Sequence, residues 1–345
     1  MCRHNCGSTR SVRDSSGKSA TGSEISAVLR LWRVVPDALV RYSGPMPETI
    51  PPGAATDADT GGGEFDRFHA AHAAKTGSFH DVSWSWVSAG DSSLATLLLP
   101  PSPGFAALLG GLIEAMAPKQ RVIVPTYPAI PDSRALVHGL AEICRAEGVT
   151  RLNLVGFGFG GVLAQLFAKR GAGVVNKIVL VNTTTPEAWV RPKDRTAYNT
   201  ARLAPAWALR RLALGRIVSQ AGLEKEERPR WRRLIRACLA QRVDKWESLA
   251  LRAAGFDAQR LIIEDDGWSL PGFEGRIQIV ESGKDRRITD AQRTALKEAC
   301  PAAHVRKVAD AGHWLGCVHP ERLIGIVDTF LNDVNIIDRT PGADR

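Results

Sequence analysis

The chain holds no apolar run of about 18 residues, so no transmembrane helix is expected. Its Arg- and Ser-rich beginning lacks the apolar stretch and cleavage site of a secretory signal, which leaves a transit peptide as the alternative. No CxxC pair occurs among Cys2, Cys6, Cys144, Cys238, Cys300 and Cys317, which excludes the usual zinc modules. Cys2, His4 and Cys6 lie close together but want a fourth ligand at suitable spacing, so no metal site is expected. Scattered thiols suit a reducing compartment, and a cytoplasmic location is expected. Nor does any zinc-finger, RNA-binding or other nucleic-acid motif accompany the formal charge of +9. The basic balance is therefore read as arginine richness, with no nucleic-acid partner. No internal repeat is visible.

What is present is a chain of 345 residues, 44% apolar, enough for one large domain or two ordinary ones. Residues 1–75 differ from the rest. An apolar patch at Ala27–Val40 is followed by a stretch rich in Gly, Pro, Thr and Asp, and the region is expected to be a disordered extension or linker, with Met46 an alternative start. A domain is expected over 76–335 and a short tail over 336–345.

Within that domain, Ser83–Val87 alternates like a strand, and Leu94–Leu99 is a continuous apolar run closed by Pro100-Pro101, as in a buried parallel strand. Phe105–Met116 has helical spacing. Strands at Arg121–Pro125, Leu152–Val155 and Lys177–Val181 then alternate with helices at Ser133–Glu147 and Val162–Lys169. That rhythm means a mostly parallel sheet covered on both faces. From about 186 to 270 it breaks into arginine-rich helical sequence with interleaved tryptophans, the pattern of a helical lid. The sheet resumes at Arg276–Glu281, followed by a helix at Asp290–Ala299, a strand near Val305–Val308 and a last helix at Pro320–Leu331.

The strand ending at Val155 runs into Gly156-Phe157-Gly158-Phe159-Gly160. A strand, a glycine-rich tight turn and a helix make the setting of the nucleophile elbow G-x-S-x-G. Flanking glycines are required because residues two before and two after the centre crowd the strand and helix. The central residue must take positive φ, a strain that glycine meets at little cost. Gly158 stands at the vacant nucleophile position. The same string also fits the dinucleotide fingerprint GxGxxG through Gly156, Gly158 and Gly161. Against that, Asn182-Thr183-Thr184 stands where its acidic residue is expected, and the turn follows at least two other strands.

Downstream, Asp285 lies in the turn after Arg276–Glu281, and His313 follows Gly312 one helix and one strand later. Elbow, acid, histidine is the chain order of the α/β-hydrolase fold, with the acid orienting the imidazole. His319, beside Pro320, reads instead as the start of the last helix. For the oxyanion side, Pro101 has no N–H to donate, so Ser102 and Phe159 are the candidates. Ser102 and Thr183-Thr184-Thr185 lie at the carboxyl ends of strands but on no elbow, and read better as turn and capping residues than as substitute nucleophiles.

Together these features resemble the maspardin family of α/β-hydrolase-fold proteins. The matching segments are the loop Leu99–Gly104, Arg121-Val122-Ile123 with Tyr127-Pro128, the helix start Gly160–Ala168 and the strand Ile178–Asn182. The resemblance runs from about Phe79 to Leu331 and implies a binding protein with doubtful hydrolase activity; no cofactor is expected. The sequence departs from that family in having Gly158 for serine, and in a more hydrolase-like Asp285 and Gly312-His313.

Three functions follow in order of preference. The first is a non-catalytic or weakly catalytic binding protein, taking a small-molecule ligand or a protein partner through the arginine-rich lid. The second is an enzyme in which His313 and Asp285 act as general base without a covalent intermediate. The third is a serine hydrolase inactivated by glycine at 158.

Overall fold

A computed structural model of the protein describes residues 67–333, apart from 69, 103–105, 172, 243–244 and 265–267. Most of the expected extension, including Cys2, His4, Cys6, Ala27–Val40 and Met46, lies outside the described residues, as does the expected tail.

Among the described residues the strands are β1 (Lys75–Phe79), β2 (Val82–Ala89), β3 (Ala95–Leu99), β4 (Arg121–Thr126), β5 (Leu152–Phe157), β6 (Val175–Val181), β7 (Ile277–Ser282) and β8 (His304–Val308). They form one sheet in the order β1-β2-β4-β3-β5-β6-β7-β8. The β1–β2 and β2–β4 pairs are antiparallel and the rest are parallel. The crossing between β3 and β4 makes β3, β5 and β6 the middle of the sheet. Their apolar runs fit that place: Leu97, Leu98, Leu99, Leu154, Val155, Ile178, Val179 and Leu180 are fully buried. Each such side chain contributes about 2 kcal/mol of transfer free energy.

The helices are α1 (Gly110–Met116, after a 3₁₀ turn at Ala107–Leu109), α2 (Ser133–Ala146), α3 (Phe159–Arg170), α4 (Pro192–Leu203), α5 (Ala206–Gln220), α6 (Arg228–Arg242), α7 (Lys245–Glu264), α8 (Asp290–Ala299), α9 (Leu315–Val318) and α10 (Pro320–Asn332). Side chains alternate across a strand. Leu98, Val155, Val179 and Val280 therefore share one cluster with Leu112 and Ile113 of α1 and Leu323 and Val327 of α10, while their chain neighbours face α2 and α3. Helices α4 to α7 all stand between β6 and β7. Pro192 and the reciprocal bonds of Arg191 and Asp194 open α4.

Strand β1 was not anticipated. Its sequence KTGSF is polar and largely exposed at a sheet edge, so no apolar alternation marks it. It turns into β2 through His80 and Asp81, both at positive φ (50° and 62°). Two buried polar ties fix the ends of the fold. The Glu147 carboxylate after α2 accepts from Lys75, Trp86 Nε1 (2.7 Å), Ser88 and Arg121. Lys177 on β6 donates to the carbonyls of Phe330 (3.0 Å), Leu331 (3.2 Å) and Asp333 (2.7 Å), where α10 ends.

Candidate active site

Strand β5 ends at Phe157 and α3 begins at Phe159, so a single residue, Gly158, turns the chain. Its dihedrals are φ 50° and ψ −116°. This is the strained positive-φ conformation that the glycine-rich string leads one to expect. The turn is pinned by Gly158 N–H donating to Val181 O (3.1 Å), Gly161 N–H to Gly158 O (3.0 Å) and Thr183 Oγ1 to Gly158 O (2.7 Å). The flanking glycines are steric necessities. A Cβ on Gly156 would lie 2.6 Å from Gly160 O and from Gly161 Cα, and one on Gly160 would lie 2.1 Å from Leu99 O. Position 158 is different. A Cβ there would sit 3.4 Å from His313 Nε2 and 3.4 Å from Pro101 Cβ, ordinary contact distances.

Asp285 follows β7, and His313 precedes α9. His313 Nδ1 and Asp285 Oδ2 are 2.9 Å apart, with side chains only 2% and 1% exposed. The second carboxylate oxygen accepts from the backbone N–H of Arg287 (2.7 Å) and Ile288 (3.3 Å). Burial alone would raise the Asp285 carboxyl, but the bond with His313 and these N–H groups hold it below the usual carboxylate range. Burial pushes the His313 imidazole down. Asp285 opposes that shift, Arg287 and Arg293 add to it, and the ring ends below its ordinary value. At pH 7 the pair is a carboxylate and a neutral imidazole. The carboxylate fixes the proton on Nδ1, and Nε2 faces Gly158 with its lone pair free to accept.

The histidine loop is held by a residue that sequence reasoning passed over. Asn182 sits at positive φ (47°) at the end of β6. Its amide nitrogen donates to Ser282 Oγ (2.9 Å), Gly312 O (3.2 Å) and His313 O (3.0 Å), and its oxygen accepts from Ser282 N–H (2.8 Å). One buried amide thereby ties the acid turn to the histidine loop. From the other side, His313 N–H donates to Gln220 O at the end of α5 (2.8 Å).

The remaining candidates divide. Phe159 opens α3, so its N–H has no intrahelical acceptor. Ser102 is half-buried beside Pro101, and the loop beyond it, 103–105, lies outside the described residues. Thr183, Thr184 and Thr185 are buried and committed, to Gly158 O, Gln292 O and Ala188 N–H respectively. His319 stands at the N-cap position of α10 without a side-chain capping bond. Among the described residues, one group could present three metal ligands: His80, His138 and Glu142, with ligand atoms within 4.8 Å of one another. Glu142 is also paired with Arg145, which competes for it.

A second feature escaped the sequence reading. The Phe159 ring contacts Trp189 at 5.9 Å between centroids, and the Arg287 guanidinium lies over the other ring of that pair, 5.6 Å from the centroid of Trp189. Phe159 is buried, Trp189 half-buried and Arg287 exposed. The stack runs from the turn to the surface.

The sequence profile of the alpha/beta hydrolase family matches residues 70–326. No curated protein sequence matches the chain. Among solved structures, a hydrolase from Pseudomonas aeruginosa superposes with a TM-score of 0.60 at 18% identity, covering 75% of this chain and 98% of that one. A bromoperoxidase from Bacillus anthracis gives 0.60 at 14% identity, over 76% of this chain and 100% of that one. An enol-lactonase from Burkholderia xenovorans gives 0.57 at 18% identity, over 74% and 99%. At these identities the likeness is one of fold.

Proposed function

The chain belongs to the alpha/beta hydrolase family, and from that premise we propose that it does not follow the acyl-enzyme route, and that His313, held by Asp285, serves as a general base on a water or a ligand hydroxyl lodged over Gly158. One observation carries the reading: the imidazole Nε2 points at the space a side chain on residue 158 would fill, 3.4 Å from its Cβ position. The base is paired, neutral at pH 7 and enclosed, while nothing beside it on the turn can attack a carbonyl. Losing the nucleophile of a serine triad costs on the order of a million-fold in turnover, while binding and oxyanion contacts retain part of the remainder. Phe159 N–H, and Ser102 from the loop after β3, are the groups assigned to stabilise developing negative charge.

The maspardin-like resemblance over 79–331 favours a second reading, a ligand-binding protein with little or no turnover. Enclosure favours it too: His313 is almost inaccessible, so α4 to α7, acting as a lid, have to move before any ligand enters. Turnover of p-nitrophenyl acetate together with intact mass measurement separates the two. A general base gives slow turnover that is lost in His313→Ala, with no acyl adduct at any time point. Absence of turnover in the unmodified protein leaves the binding reading, and an acyl adduct on any serine refutes the claim that the nucleophile is missing.

A further inference from the structure

Three arginines from three separate segments converge where the Phe159–Trp189 stack reaches the surface. Arg287 comes from the acid turn and lies over Trp189. Arg191, from the segment entering α4, donates to the backbone carbonyl of Arg287 (3.1 Å). Arg252 comes from α7. It stands one turn before Gly255, whose Cβ position is 2.8 Å from Trp189 Nε1 and 3.8 Å from Phe159 Cε2, so the same face of α7 carries it over the stack.

The acids nearby are already engaged. Asp194 is taken by Arg191, through Nε (3.1 Å) and Nη2 (3.2 Å). Asp285 is held by His313 and two backbone N–H groups, and Asp290 is paired with Arg293 (2.7 Å). Neither Arg287 nor Arg252 forms a salt bridge among the described residues, and the Asp194 carboxylate acts on both only from a distance, as Asp285 does on Arg287. Both have accessible side chains, yet burial lowers both guanidiniums, that of Arg287 to about 10; Arg252 and Arg191 add to the shift at Arg287 and Arg216 to that at Arg252, while Asp194 opposes both and Asp285 opposes that of Arg287. Guanidiniums held together at one place repel one another, and an anion bound among them relieves that repulsion.

We infer that this surface cluster takes a small anionic ligand, a carboxylate or a phosphate monoester carried on a flat apolar body, with the anion held by Arg287 and Arg252 and the body laid on Trp189 toward Gly158. The inference names the ligand class of the site assigned above and rests on that assignment for the direction in which the ligand points. The guanidinium fork matches both anions, and an aromatic face beside it favours a planar group. A neutral isostere of the same shape loses the charge-assisted bonds and keeps only the stacking.

Isothermal titration of the full chain with benzoate, phenyl phosphate and benzamide tests this. At least one anion is expected to bind about tenfold or more tightly than benzamide, and whichever of benzoate and phenyl phosphate does so identifies the anion class. Arg287→Gln and Arg252→Gln should each weaken that anion by about tenfold. Arg287→Lys should recover part of the loss. Arg210→Gln, an exposed position on α5, should change nothing. Melting curves confirm that each variant is folded. The inference falls if neither anion outbinds benzamide, if Arg210→Gln is as damaging as Arg287→Gln, or if a single-stranded oligonucleotide binds more tightly than either anion through the same arginines. His313→Ala separates the two proposals: it should spare anion binding while abolishing turnover. Turnover without anion selectivity would sink only this inference, and anion binding without turnover only the general-base reading.

Discussion

A serine at position 158 would enter a backbone already set for it. The cost is conformational, because φ 50° is strained for any side chain while the neighbouring atoms stand at contact distance rather than in collision. Gly158→Ser should lose about 1 kcal/mol of stability and place a hydroxyl beside His313 Nε2. It is expected to gain labelling by a fluorophosphonate that disappears in the Gly158→Ser/His313→Ala double variant, while the unmodified protein stays unlabelled. An unlabelled Gly158→Ser variant would mean that the oxyanion side does not support acyl transfer. The same pair sets a dependence on acidity. Below the ordinary histidine value of 6.5 the unfolded chain takes up a proton that folded His313 resists, and further down Asp285 behaves alike because its folded pKa is also depressed. Both contributions are present at neutral pH and are lost as pH falls, so the melting temperature should drop between pH 7 and 5. In His313→Gln that drop should be smaller; an unchanged slope would show that folding does not shift the histidine's pKa, and a steeper drop that the fold raises it.

At the scale of elements, the antiparallel corner of the sheet hangs on Glu147. Its side chain is 3% exposed and serves groups on β1, β2 and β4. Glu147→Ala strands a buried indole N–H and two cations, and should cost about 3 kcal/mol in chemical denaturation. Glu147→Gln should cost less, because it still accepts. The elements themselves were legible in proportion to their apolar signal. The runs 94–99, 121–125 and 177–181 announced buried strands because a central parallel strand is apolar on both faces, whereas the exposed β1 carried no such mark. The site was legible to the same uneven degree. Gly158, Asp285 and His313 declared themselves by chain order around a turn whose glycines have a steric reason. Asn182 reaches Ser282, 100 residues away, and Trp189 meets Arg287 from a distant loop. Contacts of that separation are products of the folded sheet, and no local spacing encodes them.

At the scale of the whole molecule, Phe68 is an anchor near the start of the described residues. Phe68 is buried at 5% exposure against the start of α1, where a Cβ on Gly110 would lie 3.0 Å from its ring. A chain beginning at Met46 keeps that contact and β1, and its melting temperature should be nearly that of the full chain. Beginning after Phe68 removes an aromatic anchor, which costs about 3 kcal/mol. A large loss already at Met46 would show that Ala27–Val40 docks on the domain.

Lys177 has a consequence at the opposite end. Its ammonium gathers three carbonyls at the close of α10, so the end of α10 is moored to a central strand of the sheet. A pull applied at residue 333 therefore acts on the middle of the molecule rather than on a loose helical end. Tension applied there has to break that mooring before α10 can peel away and uncover the apolar face it shields.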